Sequence, residues 1–324
     1  MINFVFSSLI LLIGVLLLVA YFTLAERKIL GVVQFRRGPN VIGLYGLLQP
    51  LSDGLKLLIK EPLFPSTSDK IIFLFAPIIT FLFSLVNWVV IPFSTYSFVA
   101  EIPLSTLYIL AGSALGIYGI LMSGWSSNSK YALLGSLRSA AQMVSYELPI
   151  GLILNILICT IGSFNINSII YFQENTHWNI FTYPLLFLAF LICIVAETNR
   201  HPFDLPEAET ELVSGYNVEY GAMSFALFSL GEYSNILMMS SFTIILFLGG
   251  WLAPTTLLAF VPTTFWFSLK ILLFIIIFVL LRAGLPRYRY DQLMELGWKI
   301  LLPCVFGFFV FNYTTLLILN AFPF

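Results

Sequence analysis

The stretch FVFSSLILLIGVLLLVAYFTLA (residues 4–25) carries no charge and then meets Glu26-Arg27-Lys28. A helix needs about 20 apolar residues, rising about 1.5 Å each, to cross a hydrocarbon core about 30 Å thick. The stretch meets that length. It exceeds the roughly 7–15 apolar residues of a signal-peptide core, has no basic residue before it, and ends without a small-residue cleavage site. It reads as a retained first membrane helix.

The same ruler, moved along the chain, predicts eight spans near residues 3–25, 71–93, 104–125, 145–164, 181–197, 222–252, 264–283 and 299–320. The fold expected is all-α: a polytopic membrane protein of about eight transmembrane helices, one membrane domain over residues 1–324. Composition agrees, because the chain is 59% hydrophobic and 10% charged, against roughly 25% charged in an ordinary soluble domain. A net charge of −1 argues against nucleic-acid binding, which needs an excess of Lys and Arg to neutralise phosphates.

With eight spans, the connecting segments alternate sides. Segments 26–70, 126–144, 198–221 and 282–299 then hold every Lys and Arg except Lys270. The positive-inside rule makes that charged face the mitochondrial matrix or the bacterial cytoplasm, with both termini on the other side. The acids gather there too, or lie in a helix. Only Glu101 and Glu174 fall outside. Segment 197–221 crowds Glu197, Asp204, Glu207, Glu209, Glu211 and Glu219 against Arg200.

Cys159, Cys193 and Cys304 each stand alone in an apolar run, whereas an iron–sulfur cluster takes about four thiolates. His177 and His201 lie in polar segments, away from any buried haem position. No Walker loop, dinucleotide fingerprint or zinc spacing is present. No metal site and no redox cofactor are expected in this chain, so electrons would have to come from a partner.

Between Pro50 and Pro62, Leu51, Leu55, Leu58 and Ile59 recur at helical spacing, with Lys56 and Lys60 on another face. That pattern predicts an amphipathic surface helix. Ionisable residues inside spans mark a cavity or a partner. Here they are Glu147 after Tyr146, Glu232 before Tyr233, and Lys270. Two readings stand: a proton path, or a structural Glu–Lys pair that locks helices. Asp204-Leu-Pro-Glu207 fits a capping box, and Glu207 and Glu211 would share one helix face. Cations among aromatics recur in QFRRGP (34–39) and RYRYD (287–291), features that suit a quinone head and its isoprenoid chain.

Six irregular motifs resemble, in order, those of the first membrane chain of NADH:ubiquinone oxidoreductase, respiratory complex I, a family with mitochondrial and bacterial members. They are AERKILGVVQFRRGPN (25–40), GLLQPLSDGLKLLIKEP (46–62), GWSSNSKYALLGSLRSAAQMVSYE (124–147), ETNRHPFDLPEAETELVSGYNVEYG (197–221), GEYSNI (231–236) and PRYRYDQLMELGWK (286–299). The resemblance implies a core membrane subunit of a proton-translocating enzyme. Such a subunit anchors the peripheral arm and forms the membrane end of the quinone tunnel. Its partners would be the quinone-site and terminal iron–sulfur subunits of that arm, small neighbouring membrane subunits, ubiquinone and lipids. FMN, the iron–sulfur clusters and NADH belong to partner subunits. The setting implied is the mitochondrial inner membrane, with a bacterial plasma membrane as the alternative.

By motif, the resemblance places Arg27, Gln34, Arg36, Asp53, Lys56, Arg282 and Arg287 at or beside the quinone tunnel. It places Tyr146, Glu147, Glu197, Asp204, Glu207, Glu209, Glu211, Glu219, Glu232 and Tyr233 in an acidic funnel toward the membrane axis, with Lys270 extending that path. His201 and Ala208 depart from the usual pattern without removing an acid. A stand-alone cation transporter and a purely structural anchor remain the rival classes, the first opposed by the lack of an inverted repeat.

Overall fold

In lipid, every backbone N–H and C=O must be satisfied within its own segment, so long apolar runs become helices. The computed structural model describes residues 2–95, 97–204, 215–255 and 260–319, with side chains from residue 7 onward. The principal helices are α1 (Ile2–Val33), α2 (Gln49–Ile59), α3 (Lys70–Val86), α4 (Ser105–Ser126), α5 (Lys130–Ile161), α6 (Ile166–Asn175), α7 (Pro184–Glu197), α8 (Ala222–Phe247), α9 (Thr263–Gly284) and α10 (Leu302–Ile318). Glu207, Glu209 and Glu211 lie outside the described residues, as does the far half of the capping box at Asp204.

Seven helices among the described residues are long and apolar enough to cross a bilayer, the last running from Tyr290 through a π-helical turn to Ile318. The eighth, α7, has 14 residues and spans about 21 Å, short of the hydrocarbon core. Pro184 opens it, and the residues before it form a separate turn over Asn179–Thr182. The chain is an all-α polytopic membrane protein.

Three boundaries differ most from those expected, and one is the start of the last helix, at Tyr290 and not near residue 299. Helix α5 begins at Lys130, capped by Ser129, and not near residue 145. Its 32 residues extend about 48 Å, so it continues beyond the lipid core and makes most of segment 126–144 helical. Ser136, Ser139, Gln142 and Ser145 hide that start by looking like a loop, yet all are buried against neighbouring helices. Helix α8 stops at Phe247, not near 252, because Gly249 (φ 68°) and Gly250 (φ 52°) turn the chain through left-handed backbone.

Helix α8 forms the centre. The apolar stretch of α8 is 78% buried, against 22% for that of α1 and 11% for that of the Tyr290–Ile318 helix, whose outer faces are exposed in this chain. Around α8, α3 packs along α4, α4 along α5, and α1 against α8 and α9. Apolar side chains are as content in lipid as in protein, so close van der Waals packing must hold these helices together. Small residues allow it: a Cβ at Gly119 would collide with Thr80, and one at Gly124 with Ser136.

Helix α2 matches the amphipathic helix expected. Leu51, Leu55, Leu58 and Ile59 are all exposed on it. Helix α2 touches α1 instead through Asp53, which reaches Arg27.

Candidate functional site

The buried stripe of α1 runs Val15, Val19, Phe22 and then Glu26, spaced by helical turns, so the stripe that packs into the protein ends in a carboxylate. Glu26 is 4% exposed. Its Oε1 accepts from Arg282 of α9, and its Oε2 from Arg200 Nη2 (3.3 Å) and the Tyr233 hydroxyl of α8 (2.6 Å). The Arg200 guanidinium also lies 4.4 Å from the centroid of the Tyr233 ring. Burial works against the charge on Arg200, but Tyr233, Glu26 and Glu232 together outweigh it and hold the group protonated. One carboxylate thus joins three helices and the loop after α7.

One residue on, Arg27 turns outward. Its Nη1 meets Asp53 Oδ2 of α2 at 2.6 Å, and Gln49 Nε2 donates to Asp53 Oδ1 at 2.9 Å. Gln34 and Arg36 are exposed on the turn that follows α1, and Lys56 is exposed on α2. Gly31 and Gly38 allow that turn to fold back on the helix: a Cβ at Gly31 would stand 2.9 Å from Gly38 N. Arg27, Gln34, Arg36, Asp53 and Lys56 therefore share one outer region, with Arg282 just inside it.

Arg287 Nη2 reaches Asp204 Oδ2 at 3.4 Å, and Tyr288 N donates to the Pro202 carbonyl at 3.1 Å. From the other side, Gln142 Nε2 donates to the carbonyls of Ala196 (2.8 Å) and Phe203 (2.9 Å). The loop after α7 is pinned between α5 and the segment after α9. His201 lies in this loop, its Nδ1 buried without a partner. Burial lowers its pKa, the Asp204 carboxylate opposes that, and Arg287, Arg282 and Arg200 add to the lowering.

The acids fall into separate nodes. Glu232 accepts a hydrogen bond from the Tyr216 hydroxyl. Tyr216 is aimed by a 3-10 turn (Gly215–Asn217) that fits only because Gly135 of α5 has no side chain, a Cβ there meeting Gly215 Cα at 2.8 Å. Glu219 is half-buried just beyond that turn. Glu197 is buried at the end of α7, electrostatically coupled to half-buried Glu147, and neither of its carboxylate oxygens has a protein partner. Tyr146 donates to the Leu293 carbonyl at 2.9 Å, fixing α5 to the start of the last helix.

Lys270 stands apart from the acids. Its ammonium donates to the carbonyls of Leu248 (2.7 Å), Gly250 (2.9 Å) and Leu252 (2.8 Å), and lies 4.5 Å from the Trp178 ring centroid. The structure thus gathers Arg282 and Tyr233 around Glu26 and Arg200, two residues to which the motifs assign no role, while Arg27 faces away to Asp53. Glu26 announces itself only as the last member of the α1 stripe. No group of three or more His, Cys, Asp or Glu able to hold a metal ion occurs among the described residues.

The architecture defines a polytopic helical membrane protein that buries several clusters of ionisable side chains. The family model for NADH dehydrogenase matches residues 6–313. The chain is 57% identical over 307 residues to NADH-ubiquinone oxidoreductase chain 1 of Chondrus crispus, covering 93% of this chain and 94% of that one. It is 54% identical over 301 residues to a subunit of the NADH-quinone oxidoreductase of Rhodospirillum rubrum (92% and 89%), and 51% identical over 320 residues to the chain 1 protein of Cyanidium caldarium (98% and 92%). The chain belongs to this family.

Proposed function

We propose that the chain is the membrane subunit through which an NADH:quinone oxidoreductase admits its quinone and couples its reduction to proton translocation. The observation that carries this reading is the Glu26 cluster. Arg27, paired with Asp53, follows Glu26 on α1, and Arg200, held by Glu26 and lying over the Tyr233 ring, interacts electrostatically with Glu232.

In this reading Arg27, Gln34, Arg36, Asp53, Lys56, Arg282 and Arg287 border the quinone passage. A quinone that accepts two electrons must also take up two protons, so charge at the passage changes during turnover. Guanidinium and carboxylate groups in a low-dielectric setting respond strongly to such a change. Tyr146, Glu147, Glu197, Asp204, Glu207, Glu209, Glu211, Glu219, Glu232 and Tyr233 would relay protons, with Lys270 at the far end.

Partner subunits would supply NADH oxidation, FMN and the iron–sulfur clusters. The exposed apolar face of α2 and the cationic turn at residues 34–38 suit contact with the peripheral arm and lipid. The placement proposed is the mitochondrial inner membrane, with a bacterial plasma membrane as the alternative and the charged face toward the matrix or cytoplasm.

The test is NADH:quinone turnover and proton pumping in membranes carrying Glu232→Gln, with NADH:ferricyanide activity as the assembly control. Loss of the first two with the third retained is expected. No change in any of them would leave a structural anchor as the better reading.

A further inference from the structure

Glu197 is fully enclosed, yet both of its carboxylate oxygens lack a protein partner. A buried carboxyl left so is costly unless something polar meets it. Against it lies a closed cavity of about 10 Å³ lined by Ser113 of α4, Met143 of α5, Glu197 and Thr198 at the end of α7, and Asn235 and Met239 of α8. One water needs roughly 10–15 Å³ of such room and two to four polar partners, and the cavity offers both.

The partners have a defined sense. Ser113 Oγ already donates to the Leu110 carbonyl (2.9 Å), and Thr198 Oγ1 to the Ile194 carbonyl (3.0 Å). With their protons committed, both hydroxyls present lone pairs and can only accept. The Asn235 amide supplies a donor. A water that donates to these two hydroxyls accepts from the Asn235 amide and, through its second lone pair, from the protonated Glu197 carboxyl.

We infer that Ser113, Thr198 and Asn235 hold a water against the Glu197 carboxyl, making Asn235 a positioning residue for proton exchange at that acid. The inference rests on the proton-coupled reading above and adds to it a site built from uncharged side chains. A second orphan group stands nearby: the Asn87 amide is buried without a partner, pressed against Gly112, the neighbour of Ser113. Ser113 places the water on the α4 side of Glu197.

The test uses the intact complex in vesicles and difference infrared spectroscopy. The carboxyl band of Glu197 is assigned by its loss in Glu197→Gln, and the water by the shift of its O–H band in heavy-oxygen water. Asn235→Leu is expected to abolish that shifted band and to slow hydrogen–deuterium exchange at the carboxyl about tenfold, with Asn235→Ser restoring both. Thr198→Val, which keeps shape and loses the acceptor, gives the same readout if Asn235→Leu fails to assemble. An unchanged band and exchange rate in an assembled variant overturns the water site. Pumping in Glu197→Gln is measured alongside: its loss there with the band intact in Asn235→Leu sinks the water site alone, and its persistence counts against the proposed function.

Discussion

The Tyr233 hydroxyl donates to Glu26 Oε2 across 2.6 Å, joining residues 207 positions apart, and the same carboxylate takes Arg200 and Arg282. Removing one partner of a buried ion pair strands the other charge, at a cost of about 3–5 kcal/mol. Glu26→Gln is therefore expected to lower both quinone reductase activity and the thermal stability of the assembled complex. Arg282→Met should cost less, since that side chain is 36% exposed and Arg200 remains on the carboxylate. A double-mutant cycle with melting temperature as readout decides it. Additive effects would mean that the two groups do not interact.

The Arg27–Asp53 pair is a different kind of contact. Its side chains are 52% and 38% exposed, and such a pair contributes about 0–1 kcal/mol to stability. Arg27→Gln should leave assembly and NADH:ferricyanide activity unchanged. If this region borders the quinone passage, the same variant should raise the apparent KM for quinone several-fold. A change in assembly with unaltered quinone kinetics would assign the pair to architecture.

The length of the apolar runs exposes the spans because lipid forces whole apolar segments into helices, and α2 is legible from the helical spacing of Leu51, Leu55, Leu58 and Ile59. The early start of α5 is not, because Gln142 and Ser145 are polar residues serving as packing and pinning groups. Glu26 is hidden for a related reason: beside Arg27 and Lys28 it looks like an end-of-span charge, and only helical register places it on the buried face. Sequence alone groups Lys270 with the acids because each is ionisable and at membrane depth. Its carbonyl partners come from a turn set by Gly249 and Gly250, whose course no side-chain pattern encodes.

His201 gives the loop after α7 a pH dependence with a definite sign. In the unfolded chain its imidazole takes a proton near its usual value, about 6.5. In the fold, burial and the nearby guanidiniums lower that value against the pull of Asp204. The folded loop thus binds fewer protons than the free chain. Its contribution is complete above about pH 6.5 and is lost as pH falls toward the lower folded value. Protection of the amides between residues 198 and 204, Pro202 having none, corrected for intrinsic exchange, should drop as pH falls below about 6.5. His201→Gln should flatten the drop, and an equal drop in that variant would remove His201 as its cause.

Lys270 separates two roles that predict different failures. Its ammonium satisfies three carbonyls in the turn beyond α8, and a buried polar group left unpaired costs about 1–3 kcal/mol. Lys270→Met would orphan all three carbonyls, so the turn should open. Protection of the Leu248 and Gly250 amides, both bonded to the Ile244 carbonyl, should then fall, and pumping would decline as a consequence of that local opening. A proton-carrying lysine would behave otherwise: pumping would be lost while those amides stayed protected. Since the ammonium faces carbonyls and an indole ring, and no carboxylate among the described residues, the first outcome is expected.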